Sequence, residues 1–298
     1  MARDRDRFVS LRVEAGSPEA AEIAAAEAWE AGASGVEEGA DGLSLTVYAP
    51  RAAAPAIARA LAAVASEALA LRVDAPVEIE DVEWSEAWKE GLAPIVVSER
   101  LVVRPSFRSA PLAPGQVDVA IDPGQAFGTG AHASTFLALA CMDERLARAP
   151  ASRVLDVGTG SGVLALCALR LGAARAVGFD LDPLAAPAAR AAARANGLDA
   201  RLDVFTGGVD ALGARARGFD LVVANLLRGE LLPIAQEVAA CVAPGGALVL
   251  AGLLDRDAPP VAARFARTTP PLAIASRRER IDADGECWVG LVLERASG

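Results

Sequence analysis

The sequence contains few of the residues that build metal sites and disulfide frameworks. It has a single histidine, His132, and four cysteines among its 298 residues. The cysteines lie far apart, and three are in apolar stretches, so we expect free buried thiols rather than a metal site or a disulfide frame. They are Cys141, Cys167, Cys241 and Cys287. We therefore expect no bound metal.

Long apolar runs are missing as well. No run of about 18 or more uncharged apolar residues occurs, which argues against a transmembrane helix. The first residues, MARDRDRF, carry charges but lack the apolar stretch of a signal peptide. We expect a cytoplasmic protein that makes no contact with a membrane.

Basic residues are scarce in the first part of the chain. Residues 1–83 contain 16 acidic and 7 basic residues, whereas the remaining 215 contain 23 and 22. This imbalance disfavours direct binding to nucleic acid and favours a basic partner that is steered to an acidic surface. The general solubility of an acidic protein is the alternative explanation.

The same part of the chain lacks Cys, His and Lys, so it offers no catalytic cluster. Its patterns predict the order β-α-β-β-α-β, which is that of a ferredoxin-like α+β domain. The predicted elements are strand 8–15, helix 17–33, strands 35–38 and 43–48, helix 53–69 and strand 71–80. We interpret residues 1–81 as a recognition domain, with a structural appendage as the alternative. Residues 82–115 are the predicted linker, and residues 116–298 the predicted second domain.

The most informative stretch, VLDVGTGSGVLALCALRLGAARAVGFDLD, runs from Val154 to Asp182. It predicts a buried strand, a glycine-rich turn, a helix and a second strand that ends in Asp180. Glycines such as Gly158 and Gly160 let backbone N–H groups approach a ligand, and the helix N-terminus adds partial positive charge. A carboxylate after the second strand can accept hydrogen bonds from ribose hydroxyls. The unit therefore predicts a nucleoside site.

The glycine spacing indicates which nucleoside is bound. A dinucleotide fingerprint starting at Gly158 requires its third glycine at position 163, which is Val163. The observed D-x-G-x-G-x-G pattern resembles motif I of class I S-adenosylmethionine methyltransferases. Asp156 suits the cationic methionine end of that cofactor, whereas it would repel a pyrophosphate. An ordinary glycine-rich turn in a parallel sheet is the alternative interpretation.

A second glycine-rich loop, within VDVAIDPGQAFGTGAHAST at residues 117–135, leads into another predicted helix. We expect it to close over the cofactor, with Phe127, Gly128 and Thr129 as contacts. Thr135 either binds the cofactor or caps the helix. A lone histidine is usually structural, but the neighbours of His132 make a polar group on the substrate side, or a base, a second interpretation.

Asn225 ends the predicted strand FDLVVAN, so it lies at the mouth of an α/β site. There it could orient an acceptor nitrogen towards the methyl group; a turn-forming asparagine is the alternative.

The C-terminal segment predicts two strands joined by Asp284-Gly285. A doubly wound sheet that ends in an antiparallel hairpin is a methyltransferase topology.

Together, DPGQAFGTGAHAST, VLDVGTGSGVLAL, GFDLDP, VVANLLRGEL and APGGALVLAGLL resemble the ribosomal protein L11 methyltransferase (PrmA-like) family. The resemblance implies a ferredoxin-like recognition domain and a seven-stranded catalytic domain. It also implies S-adenosylmethionine as cofactor and methylation of lysine side-chain and N-terminal amines of one large-subunit ribosomal protein. The family's cofactor contacts fall on Thr135, Gly158, Asp180 and Asn225. We expect a monomer.

Some residues depart from the family pattern. Ala131 and Ala133 replace Thr and Pro, Ser134 replaces Thr, Leu226 replaces Ile, and Arg228 replaces a small residue. The changes near Asn225 leave open a methyltransferase for another protein lysine or a small-molecule amine. A non-catalytic nucleoside-binding module is a further alternative, against which the intact Asp156, Asp180 and Asn225 argue. Val163 and Asp156 disfavour a nicotinamide oxidoreductase.

Overall fold

The computed structural model divides after residue 92 into two units, Met1–Leu92 and Ala93–Gly298. It describes residues 8–39, 43–65, 70–79, 93–122, 132–282 and 285–297. Residues 93–115, which the sequence assigned to a linker, belong to the second unit. None of the described helices is both long and apolar enough to cross a membrane.

The first unit follows the predicted order of elements, with its last strand in two pieces. The elements are β1 (Phe8–Glu14), α1 (Pro18–Glu30), β2 (Gly35–Glu38), β3 (Ser44–Pro50), α2 (Ala54–Val64), β4 (Arg72–Val73) and β5 (Val77–Ile79). They form an antiparallel sheet in the order β2-β3-β1-β4, and β5 also pairs with β1. Leu11, Leu45, Ile57 and Leu61 are fully buried in its core.

Two boundaries in this unit have local causes. Helix α1 begins after Ser17, whose Oγ accepts a hydrogen bond from the Ala20 N–H at 3.2 Å, as a capping serine does. The single strand predicted over residues 71–80 is wrong, because the chain forms two short strands instead. Pro76 lies between them and has no N–H to donate to a sheet ladder.

The second unit contains the remaining elements. They are β6 (Ile95–Val96), β7 (Leu101–Pro105), β8 (Val117–Ile121), α3 (Ala133–Arg148), β9 (Arg153–Val157), α4 (Val163–Arg170), β10 (Arg175–Asp180), α5 (Ala185–Ala195), β11 (Leu202–Thr206), β12 (Phe219–Asn225), α6 (Arg228–Leu231), α7 (Ala235–Cys241), β13 (Val242–Leu254), α8 (Ala258–Phe265), β14 (Ala273–Ile281) and β15 (Cys287–Glu294). Pro233 lies between α6 and α7 and interrupts the helix there.

A seven-stranded sheet in the order β11-β10-β9-β12-β13-β15-β14 forms the centre of this unit. The strands from β11 to β13 pair in parallel, and β15 is antiparallel to both of its neighbours. The strand order reverses between β9 and β12. In such sheets a ligand binds at the carboxyl ends of the strands beside that reversal. The topology therefore predicts a ligand site at the carboxyl ends of β9, β10 and β12.

A smaller sheet, β6-β7-β8, packs onto the same unit. Asn196, at the C-terminus of α5, holds its edge: Oδ1 accepts from the Ala120 N–H at 2.9 Å, and Nδ2 donates to the Ala120 carbonyl at 2.7 Å. The asparagine side chain thus replaces a neighbouring strand. It ties β8, which leads into the segment 123–131, to the large sheet.

The cysteines behave as free thiols. Cys141, Cys167 and Cys241 are buried and Cys287 is partly exposed, and none forms a disulfide. Burial raises the pKa of the Cys141 and Cys241 thiols to about 11. Among the described residues, no group of three metal-ligating side chains comes together.

Candidate active site

The glycine-rich turn after β9 is held by backbone contacts. Gly158 has φ of 71°, and its N–H donates to the Phe179 carbonyl of β10 at 3.0 Å. A Cβ at position 158 would lie 2.6 Å from Leu226 Cδ2, so no larger residue fits without moving that side chain. The turn thus exposes backbone rather than side chain to a ligand.

Asp180 occupies the predicted position at the tip of β10, where its carboxylate is fixed on both sides. Oδ2 accepts from the Gly160 N–H at 2.8 Å, and Oδ1 accepts from the Asp182 N–H at 3.0 Å. Each oxygen keeps further acceptor capacity, which a pair of ribose hydroxyls can use. The same carboxylate therefore supports the glycine turn and presents hydrogen-bond acceptors beside it.

Asp156 lies beneath the glycine turn and is fully buried. Its Oδ2 accepts from Thr159 Oγ1 at 2.8 Å and from the Ala165 N–H at 3.1 Å, whereas Oδ1 has no partner among the described residues. Burial raises the pKa of this carboxyl to about 6, although the Thr159 and Ala165 hydrogen bonds oppose that shift. Its role is to support the turn from behind.

A cavity of about 470 Å³ opens above these residues. Gly158, Gly160 and Asp180 form one side, which we name the glycine end. The lining also contains Glu230 and the contacting rings of His132 and Trp288, and we name these three residues the tryptophan end. Asn225 lies between the two ends, at the tip of β12. The volume is within the usual range for sites that bind small molecules.

Asn225 has an incomplete set of hydrogen bonds. Its Nδ2 donates to Thr135 Oγ1 at 3.2 Å, whereas the buried Oδ1 has no partner among the described residues. A buried acceptor without a donor costs about 1–3 kcal/mol. A ligand that carries an N–H group would remove that cost. The Asn225–Thr135 bond also explains the position of Thr135, which is buried inside helix α3 and does not cap it.

His132 is the residue that caps α3. Its Nδ1 accepts from the Ser134 N–H at 3.2 Å and lies 2.8 Å from Ser134 Oγ. The ring also makes an edge contact with Trp288, at 4.6 Å between ring centroids and an interplanar angle of 80°. His132 is therefore part of the cavity wall, and these contacts agree with the structural interpretation of a lone histidine.

A family model described as "Ribosomal protein L11 methyltransferase (PrmA)" matches residues 14–289. This chain belongs to that family. The match confirms the resemblance that the sequence motifs indicated. It also confirms the predicted enzyme class, a methyltransferase, and the predicted cofactor, S-adenosylmethionine.

Individual relatives agree with the family assignment. The ribosomal protein L11 methyltransferase of Sorangium cellulosum is 36% identical over 98% of this chain and 97% of that protein. The protein of the same name from Pseudomonas aeruginosa is 42% identical over 63% of this chain and 62% of that protein. A crystal structure of ribosomal protein L11 methylase from Lactobacillus delbrueckii subsp. bulgaricus has a TM-score of 0.57 and 29% sequence identity. It covers 68% of this chain and 98% of that chain. The α/β methyltransferase-type fold with a mixed sheet is therefore shown.

The residues of the cavity fit S-adenosylmethionine. Asp180 provides acceptors for ribose hydroxyls, and Gly158, which carries no Cβ, leaves room for the ligand beside the turn. The buried and unpaired Asn225 Oδ1 requires an N–H donor, which either the cofactor's ammonium group or an acceptor amine can supply. Phe127, Gly128 and Thr129, the other predicted contacts, lie outside the described residues.

Three residues that line the cavity were not predicted from the sequence. Gly252 lies within β13 with φ of 78°, and a Cβ there would be 2.6 Å from the Leu226 carbonyl oxygen. A glycine inside an apolar strand can indicate such a close backbone approach. Glu230 and Trp288 have no comparable local signal, because only the fold brings them to the cavity.

A larger cavity, of about 1050 Å³, lies at the opposite edge of the sheet. Arg153 and Arg175, at the starts of β9 and β10, contribute to its walls together with Arg190 and Arg194 of α5. It contains no predicted site residue. Because ligands of α/β sheets bind at the carboxyl ends of the strands, we assign the methyltransferase site to the smaller cavity.

Proposed function

We propose that this chain transfers methyl groups from S-adenosylmethionine to lysine side-chain and N-terminal amines of ribosomal protein L11. The supporting observation is Asn225, which lies between the two ends of the cavity and has a buried carbonyl oxygen without a partner among the described residues. An amine that donates to this oxygen would be held at the strand reversal, beside the glycine end. The family name supports L11 as the acceptor protein.

The acceptor amine must lose a proton before it can react. A free lysine has a pKa of about 10.4 and a terminal amine about 7.7–8.0. Burial in the cavity lowers both values because it disfavours the charged form. When bound, S-adenosylmethionine supplies an activated methyl group on a cationic sulfonium. Asn225 then accepts one amine N–H and directs the nitrogen lone pair, while Thr135 fixes the amide through Nδ2.

The residues of the glycine end hold the donor in this proposal. Asp180 binds the ribose hydroxyls, and the turn at Gly158 and Gly160 brings backbone without side chains against the cofactor, its own N–H groups being bonded to Phe179 and Asp180. Asp156 acts through the turn that it supports. We also assign cofactor contacts to Phe127, Gly128 and Thr129.

The first unit would act as a ferredoxin-like docking domain for the basic ribosomal protein. Its strand order, β2-β3-β1-β4, and its element order support this assignment. The excess of acidic residues, 16 against 7 basic ones in residues 1–83, supports attraction of a basic partner. We further propose a seven-stranded class I catalytic domain and a cytoplasmic monomer that does not bind nucleic acid directly.

Mass spectrometry of purified ribosomal protein L11 tests the function. The protein is incubated with the enzyme and isotopically labelled S-adenosylmethionine, and we expect label on lysine or N-terminal amines. Label only on another protein or a small amine would favour a different acceptor. Cofactor binding in calorimetry without label on any ribosomal protein would favour a nucleoside-binding module.

A chain that begins at Ala93 tests the docking role. We expect it to bind S-adenosylmethionine as the full chain does, which also shows that it has folded, but to lose nearly all methylation of ribosomal protein L11. If the shortened enzyme methylated L11 at the full rate, the first unit would not be the docking domain.

A further inference from the structure

The two ends of the cavity are separated along the sheet. Asp180 ends β10, and Trp288 lies near the start of β15, which is four strand positions away in the sheet order. At about 4.8 Å per strand this is roughly 19 Å. A cofactor whose ribose binds Asp180 therefore leaves the tryptophan end to the acceptor. The charge and shape of the residues at the tryptophan end therefore indicate which acceptors can bind there.

Glu230 provides the only carboxylate of the tryptophan end among the described cavity residues. Its Oε2 accepts from the Leu227 N–H at 3.0 Å, which anchors the side chain over the start of α6. Within the described part of the chain, no hydrogen bond to Oε1 occurs. The carboxylate is exposed, so it can accept a donor from an incoming ligand at little cost in desolvation.

The nearest cation on the same segment does not neutralise Glu230. Arg228, two residues earlier, extends to Asp257, with 3.2 Å between Nη1 and Oδ1, and it does not line the cavity. The two charges of the segment after Asn225 are therefore kept apart. Arg228 pairs with Asp257 away from the cavity, whereas Glu230 lines the cavity. The departure at Arg228 noted in the sequence does not place a positive charge in the acceptor site.

The aromatic wall of the tryptophan end is fixed in place. Trp288 Nε1 donates to Asp282 Oδ2 at 2.6 Å, and its ring contacts the edge of His132. A fixed aromatic ring and a carboxylate that line the same cavity suit a flexible apolar chain that ends in a cation. A lysine side chain has this chemistry, and a protein N-terminus shares its charge.

We propose that Glu230 is a specificity-determining residue that binds the ammonium form of the acceptor before it is deprotonated. This step selects cationic lysine side chains and N-termini over neutral acceptors, and it rests on the proposed function. The ammonium group first pairs with the Glu230 carboxylate. It then loses its proton to solvent and donates a remaining N–H to Asn225 as a neutral amine.

The proposal predicts a separation of kinetic constants in Glu230→Gln. Because the ion pair forms at an exposed carboxylate, KM for ribosomal protein L11 should rise about threefold to tenfold. The value of kcat at high pH should stay the same. A carboxylate favours the protonated amine, so its loss should move the acidic limb of the kcat profile to lower pH. A purely structural role of Glu230 would not produce that shift.

Matched variants and a neutral acceptor control the experiment. Glu237→Gln removes an exposed glutamate of α7 that does not line the cavity, and it should change neither constant. Glu230→Asp keeps the charge and should recover part of the lost affinity. Calorimetry with L11 and with lysine-acetylated L11 should show weaker binding of Glu230→Gln to the unmodified protein only. The difference should shrink at high salt.

Different results overturn different statements. If the wild-type enzyme methylates L11 and Glu230→Gln has the same KM and pH profile, the role of Glu230 is wrong while the proposed function stands. An equal loss of affinity for acetylated L11, or a lower melting temperature with weaker cofactor binding, would show a structural role. If the wild-type enzyme does not methylate L11, both the proposed function and this inference fail.

Discussion

The two ends of the cavity are built in different ways. At the glycine end, the backbone of Gly158 packs closely against the Leu226 side chain. The Asp180 carboxylate there is fixed by the backbone N–H groups of Gly160 and Asp182. At the tryptophan end, side chains converge from α3, α6 and β15 and leave Glu230 exposed. Changes at the glycine end should therefore disturb the fold and donor binding together, whereas changes at the tryptophan end should affect the acceptor alone.

The largest expected effect comes from Gly158→Ala. The added Cβ would meet Leu226 Cδ2 at 2.6 Å, and φ of 71° is unfavourable for alanine. We expect affinity for S-adenosylmethionine to fall about a hundredfold or more in calorimetry. Gly197→Ala is the matched control, because φ there is 66° and nothing lies within 4 Å. It should cost about 1–2 kcal/mol of stability and leave cofactor affinity unchanged. Equal effects of both variants would contradict the close-packing explanation.

Asn225→Ala tests the boundary between the two ends. The variant loses the oxygen that accepts the amine, so we expect kcat to fall about a hundredfold. Cofactor affinity should stay within about tenfold, since the glycine end is intact. Single-turnover kinetics and calorimetry on the same preparation measure the two quantities. An equal loss of both would show that Asn225 holds the donor and does not orient the acceptor.

Asp156→Asn tests the support beneath the glycine end. The folded pKa of about 6 exceeds the unfolded value of about 3.9, so the folded state binds the proton more tightly. Wild-type stability should therefore fall by about 3 kcal/mol as pH rises from about 4 to 6. The variant should lack this slope in urea unfolding, and its cofactor affinity should drop about tenfold because a buried negative charge is lost. Asp203→Asn, at an exposed position on β11, should keep the slope.

The smallest expected effect is that of Thr135→Val. Valine keeps the volume but removes the hydroxyl that accepts from Asn225 Nδ2. A net hydrogen bond contributes about 0.5–1.5 kcal/mol, so kcat should fall about twofold to tenfold. The double variant with Asn225→Ala should be no slower than Asn225→Ala alone. Additive losses would show that Thr135 acts independently of Asn225.

The difference between the ends also explains what the sequence could predict. Gly158, Gly160 and Asp180 lie within a short stretch whose spacing reflects local strand, turn and helix geometry, so their positions follow from the pattern. Asn225 could be placed because it ends an apolar strand. For these residues local sequence contains most of the information.

Residues brought together by distant segments were not predictable in this way. Glu230 and Trp288 are 58 positions apart, and only the order of β12, β13 and β15 brings them to one cavity. Asp156 differs from these residues. The motif predicted a carboxylate at this position, but its burial beneath the turn depends on the contacts with Thr159 and Ala165. The capping role of His132 likewise depends on the exact start of α3 at Ala133.

The reversed direction of β15 has a consequence for how this enzyme can change. A parallel strand in that place would bring its C-terminal end, near Glu294, to the active site. The antiparallel strand instead presents its first residues, which directly follow the connection from Ile281 to Cys287. A change at Asp282 in that connection would act on the cavity through Trp288, whose Nε1 it accepts from. The hairpin is therefore a place where the proposed acceptor side of the cavity can change while the contacts of Asp180 with the glycine turn stay the same.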